Sequence, residues 1–246
     1  MPDSRHHRGP HPEDLRLFGT AESQRILRLA AGDLAWLLGR RYAPEAALTL
    51  VGNRYQLHQR QRRALRRAVA APAVARARRA REVRLEALRE ASLQVDALNQ
   101  LITLEVALAG GVLLRGHDGA WRDLASVHGT YRTVEETTMA LQALGTWLAP
   151  LGTKEVVFFI DAQVSNSGRL AGIMRTLAAA HGWPWQAILV PSADTVLRQT
   201  SEIVATSDSS ILDHAVRWFG LAAAVVPCIA PHAWYVDLDV PPPTVC

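Results

Sequence analysis

Lysine is almost missing from this chain. Of 27 basic residues among 246, only Lys154 is a lysine, so arginine carries the positive charge. Cysteine is as scarce: Cys228 and Cys246 make neither a disulfide framework nor a four-ligand zinc set. A reducing, cytoplasmic setting is therefore expected. No apolar run reaches the roughly 20 residues of a membrane span. The polar opening MPDSRHHRGPHPED has no apolar stretch of the kind a secretory leader needs. No membrane partner is expected, and self-association is left open. There is also no Gly-rich loop ending in Gly-Lys-Ser/Thr and no dinucleotide-binding glycine fingerprint.

The arginines that are present are unevenly placed. Residues 1–90 hold 19 of the 27 basic residues and 9 of the 23 acidic ones, a balance of +10; residues 91–246 balance at −6. A coding bias explains arginine in place of lysine, but not this crowding. It points to a half that faces a polyanion and a half with another task. Hydrophobic residues make up 49%, enough for a substantial core.

Residues 1–19 read as a loose arm. Residues 20–90 read as a basic helical domain, with a helix over 22–40 capped by Thr20, a second from Pro44 to Leu50, and a break at Gly52-Asn53. Two basic helical pieces follow, divided by Pro72. Arg62, Arg63, Arg66 and Arg67 belong to the first and are candidates for gripping phosphates, although a solvated hairpin packed on the second domain fits equally well. Aromatics are not interleaved in this segment, so base stacking is not indicated there.

From residue 91 the texture changes. Consecutive apolar residues in 93–99, 155–162, 186–191, 202–208 and 221–227 suit strands buried on both faces of a parallel sheet, with helical stretches between them. The expectation is an α/β domain over 91–229 with helices on both faces, then a Pro-rich tail over 230–246 extended along the surface. Residues 110–131 read as a hairpin or a loop; His128, Asp118 and Asp123 within it receive no role.

Ligands of open parallel sheets bind beyond the carboxyl ends of the strands. Asp96, Asp161 and Asp208 close three strands, and Asp194 follows another. Any one of them could be an ordinary cap, but four crowded carboxylates repel each other unless spread apart or held by a cation. Oxygen ligands favour Mg²⁺ or Mn²⁺, and the chemistry such ions support is phosphodiester hydrolysis. Ser165, Ser167 and Arg169 in SNSGRLA, and Arg132 before another helix, are candidate anion-binding residues, with plain helix capping by Ser165 or Ser167 the favoured reading. Asp213 is either a further acid of the site or a solvated helix residue.

The motifs VDALN (95–99), FFIDA (158–162), SADTVL (192–197) and VATSDSSIL (204–212) resemble those of PIN/NYN-type nucleases. The resemblance implies that Asp96, Asp161, Asp194 and Asp208 bind the metal. It also implies that Asn99 and Thr206 or Ser207 support the site by hydrogen bonding, and that RNA rather than DNA is the substrate. Ala97 stands where NYN-like members usually carry glycine. LVGNRYQLHQRQRRALRRA (50–68) and IDAQVSNSGRLA (160–171) resemble an uncharacterised two-part prokaryotic family, which implies an architecture but no activity.

Three functions compete on these grounds. The first is a metal-dependent nuclease with a basic grip. The second is a catalytically inactive nucleic-acid-binding or regulatory protein on the same scaffold. The third, ranked last, is another phosphate enzyme: a haloacid-dehalogenase-type phosphatase would want a second aspartate two residues after Asp96, where Leu98 stands.

Overall fold

The computed structural model describes residues 7–125 and 131–239. Helix α1 (Asp14–Phe18) leads into α2 (Ala21–Gly39), whose N-cap Thr20 accepts a hydrogen bond from the Ser23 amide at 3.0 Å. Helix α3 (Pro44–Arg54) starts on proline and runs through the expected break at Gly52-Asn53. Gly52 serves close approach instead, because a Cβ there would lie 2.4 Å from the Arg62 guanidinium. The basic pieces are α4 (Gln59–Ala68) and α5 (Pro72–Arg79). The second is shorter than expected, since residues 81–83 straighten and exchange backbone hydrogen bonds with Trp218.

The carboxyl half is α/β. In chain order it runs β1 (Ser92–Asp96), α6 (Ala97–Leu108), β2 (Leu113–Arg115), β3 (Trp121–Asp123), α7 (Glu136–Leu148), β4 (Glu155–Asp161) and α8 (Ser167–His181). It continues with β5 (Trp185–Val190), α9 (Ala193–Gln199), β6 (Ile203–Ala205), α10 (Ser209–Leu212), β7 (Arg217–Trp218), α11 (Leu221–Ile229) and β8 (Tyr235–Asp237). Five strands form an all-parallel sheet in the order β5-β4-β1-β6-β7, with Val95 level with Phe158 on one side and Ala205 on the other. Side chains alternate across it. Val156, Phe158 and Ile160 join the core under α6, α7, α8 and α11, while Val157 and Phe159 join a second core under α9 and α10. Helices thus cover both faces.

The chain moves outward from β1 through β4 to β5, then returns to β6 on the other side of β1. The helices leaving β1 and β6 therefore lie on opposite faces of the sheet. A crevice opens between such strands at their carboxyl ends.

Several expectations are corrected. The strand read at 221–227 is helix α11, in which Leu221, Ala222, Val225 and Val226 are buried at helical spacing. A short, alanine-rich apolar run satisfies both periods. The outermost strand is β7 instead. The 110–131 insert contains a hairpin of β2 and β3, and His128 lies outside the described residues. The tail does not lie along the surface: β8 pairs parallel to β2, and Val236 and Leu238 are buried with Leu114 among α1 to α4. The loose arm is packed from His7 onward. Leu17 and Phe18 are in the core, buried Asp14 pairs with Arg60, and Arg8 donates to the fully buried Glu105 at 2.6 Å. Among the described residues no helix is long and apolar enough to cross a membrane.

Candidate active site

The four nominated aspartates follow four neighbouring strands. In sheet order they are Asp194 after β5, Asp161 ending β4, Asp96 ending β1 and Asp208 after β6. Asp96 is 7% exposed; it caps α6 through the Asn99 amide at 3.4 Å and accepts the Thr206 hydroxyl at 2.9 Å. Burial pushes its carboxyl up to about 7, against the two hydrogen bonds that favour its charged form, and the charges of Asp194 and Asp208 add to the rise. Asp194 is also raised, by burial first and then by Asp208, with Arg198 opposing. The acids therefore sense one another across the edge of the sheet.

Each acid is also engaged locally. Asp161 accepts the Ala193 amide at 2.8 Å, Asp194 pairs with Arg198 at 3.2 Å, and Asp208 caps α10 through the Ser210 amide at 2.7 Å. Among the described residues, no three His, Cys, Asp or Glu side chains come close enough to be ligands of one ion.

Asn99 ties the two sides of the crevice together. Its Oδ1 accepts the Ser207 amide at 2.8 Å and the Ser207 hydroxyl at 3.0 Å. Thr206 in turn accepts the Asp208 amide at 3.0 Å, so Asn99, Thr206 and Ser207 fix the backbone that presents Asp208.

Beside them lies a cleft of about 360 Å³. Its polar lining is Arg66 and Arg67 of α4, Asn99, Arg122 and Asp123, and the turn of Ser207, Asp208 and Ser209. Ile102 and Ala125 contribute apolar surface to it. Arg67 is positioned by the Asp123 carbonyl at 2.7 Å and Arg66 pairs with Glu45. Two arginines from the first half of the chain thus meet one of the four aspartates from the second.

The remaining nominated residues do not line this cleft. Arg62 folds over α3 to Asn53 at 2.9 Å, and Arg63 is exposed on α4. Asp213 is exposed and accepts from Arg78 at 2.8 Å. Ser165 is exposed and Ser167 buried, but neither side chain caps α8; Asn166 occupies the N-cap position in a left-handed conformation at φ 69° without a side-chain cap bond, and its side-chain amide donates to the Tyr131 carbonyl at 2.8 Å instead. Arg132 and Arg169 are exposed, Arg132 in the segment that Asn166 holds.

One group escaped sequence reasoning. Asp118 is 1% exposed and binds Arg122 through both oxygens at 2.7 Å and Arg78 at 2.7 Å. Burial alone would raise its carboxyl, but the charges and hydrogen bonds of Arg122 and Arg78 outweigh that and hold it at about 2. Arg122 donates onward to the Ser207 carbonyl at 2.9 Å, and Arg78 to the Ser209 carbonyl at 3.3 Å. This buried triad clamps the turn that carries Asp208. The only sequence signal was an aspartate four residues before an arginine in a segment of undecided structure.

Comparison with known proteins agrees with a two-part chain. A family described as a protein of unknown function (DUF434) matches residues 26–81, and a domain of unknown function (DUF5616) matches residues 85–224. Uncharacterized protein MJ0935 of Methanocaldococcus jannaschii is 30% identical over 183 residues, covering 74% of this chain and 87% of that protein. No solved structure matches the chain significantly. With more than half its length matched by the one model, the chain belongs to the DUF5616 family, preceded by a DUF434 region.

Proposed function

We propose that this protein is a metal-dependent nuclease of PIN/NYN-like type, working in the cytoplasm and hydrolysing phosphodiester bonds in nucleic acid, RNA before DNA. The observation that carries this reading is the cleft that Arg66 and Arg67 line together with Asn99, Ser207 and Asp208, beside the switch point of a parallel sheet. Arginine is suited to the phosphate backbone, and an acidic sheet edge beside it is suited to a divalent cation.

The donor set fits Mg²⁺ or Mn²⁺: it is oxygen only, and its mutual repulsion would be relieved by a cation. Magnesium keeps several waters and needs only one or two carboxylates, so a shared direct shell of three is not required. Asp208 and Asp96, with Asp161 and Asp194 flanking, are the residues to hold it. When bound, such an ion supplies charge stabilisation at phosphate oxygens and a more acidic water. The chain's own part is to hold the backbone on Arg66 and Arg67 and to keep Asp208 in place through Asn99 and the Asp118 triad.

Purified protein with Mg²⁺ or Mn²⁺ is expected to cut single-stranded RNA, and Asp208→Asn to reduce the rate at least a hundredfold with binding retained. An intact substrate panel with both metals would sink the reading. The engagement of all four acids in caps, a hydrogen bond from a backbone amide or an ion pair favours a second reading, a nucleic-acid-binding protein without turnover. Salt-dependent binding without cleavage would select it.

A further inference from the structure

The corner between α2 and α3 exposes Trp36 and Tyr42 by 55% and 52% of their surfaces, unusual for large aromatics. Arg40 and Arg41 lie between them in sequence, both exposed, and no ion pair engages either among the described residues. The Arg40 guanidinium sits 4.2 Å from the centre of the Trp36 ring. The corner has a fixed shape. Tyr42 donates its amide to the Leu37 carbonyl at 3.2 Å and Arg41 to the Leu38 carbonyl at 3.0 Å, closing α2 with paired reversed hydrogen bonds.

That closure puts Arg41 at φ 64°, a position usually given to glycine. The nearby glycine, Gly39, is used elsewhere: a Cβ on it would lie 3.3 Å from Pro72. An arginine is therefore held in a backbone conformation that L residues avoid, between Arg40, whose guanidinium lies over the Trp36 ring, and the exposed Tyr42.

One ion pair links the start of α3, next to the corner, with the cleft lining. Tyr42 lies three residues before Glu45, and Glu45 is paired with Arg66 on the cleft wall. The acids nearest to the corner along the chain, Asp33 and Glu45, are each three residues away and already engaged, Asp33 by the Tyr55 hydroxyl at 2.8 Å and Glu45 by that arginine.

We propose that Trp36, Arg40, Arg41 and Tyr42 form a second binding surface for the single-stranded nucleic acid held in the cleft. Bases stack on the two rings, and the arginines neutralise the phosphates between them. Stacking on aromatics with cationic neighbours is how strands are held without sequence preference. This inference rests on the cleft reading, since the cleft supplies the end from which the strand continues.

The test measures binding, so it does not need turnover. The full chain in EDTA is titrated into fluorescent oligouridylates of about 6 and about 30 nucleotides, lengths below and above what one such surface spans. Wild type is expected to bind the longer strand more tightly. Trp36→Ala with Tyr42→Ala should weaken the long strand about tenfold or more, from the stacking lost, and leave the short one unchanged. Arg40→Gln with Arg41→Gln should act in the same direction and reduce the salt dependence; Trp36→Phe should restore most of the binding. All these side chains are exposed, and unchanged thermal melting checks the fold.

Equal binding of the long strand by wild type and the aromatic pair variant overturns the second surface while leaving the cleft intact. So does a change in molecular mass in place of a change in binding, which would make the corner a self-association face. Arg66→Gln with Arg67→Gln tests the cleft separately, since it should weaken both lengths. If those changes are silent, or if neither length binds wild type, the cleft reading falls and the second surface falls with it.

Discussion

Two groups of buried charge lie on either side of the Ser207–Ser209 turn, and they are built in opposite ways. In the triad, Asp118 has two guanidinium partners and its carboxyl is held at about 2. At the sheet edge, Asp96 has hydroxyl and amide partners and acidic neighbours, and its carboxyl is raised to about 7. The first arrangement is complete within the protein. The second gains most from something cationic brought to it. A buried charge that is matched internally fixes structure; one left short of counter-charge is suited to a ligand.

The comparison can be broken most severely at Asp118. Asp118→Ala leaves Arg78 and Arg122 buried without their shared partner and is expected to cost about 3–5 kcal/mol, read from urea unfolding. Acid gives a milder version. Asp118 is more acidic in the fold than its ordinary 3.8, so its contribution is whole above about pH 4 and is lost as the pH falls through 2. The unfolding free energy should drop by about 2 kcal/mol between those values in wild type, at ~1.4 kcal/mol per pKa unit. A similar drop in Asp118→Asn would refute the assignment. The smallest effect carries the opposite sign. Asp96→Asn removes a buried charge while keeping an acceptor for one bond and a donor for the other. Metal-free protein at pH 8 should gain on the order of 1 kcal/mol, and a loss there would mean that the edge is already neutralised.

Much of this plan could be read along the chain. The run ending at Asp161 is a strand because consecutive branched and aromatic residues suit a sheet covered on both faces, while those ending at Asp96 and Val190 carry Gln94 and Gln186 among their apolar residues. The aspartates then fall at one edge by topology alone. What could not be read depends on partners far apart in sequence. Arg78 looked like one more arginine of a solvated helix until Asp118 and Ser209 met it. Trp36 and Tyr42 lie outside the arginine-rich stretch, so that stretch seemed to lack aromatics. At Leu221–Ile229 the alanines left the period ambiguous, and only packing against α6 decided it.

Strand β8 has a consequence for how the molecule comes into being. The core under α1 to α4 includes Val236 and Leu238, which a ribosome delivers long after those helices have emerged. The arginine-rich half therefore reaches its final packing only after every strand of the sheet has been synthesised. Its final shape, and with it the seating of Arg66 and Arg67 over the cleft, becomes available only once the acidic edge they face already exists.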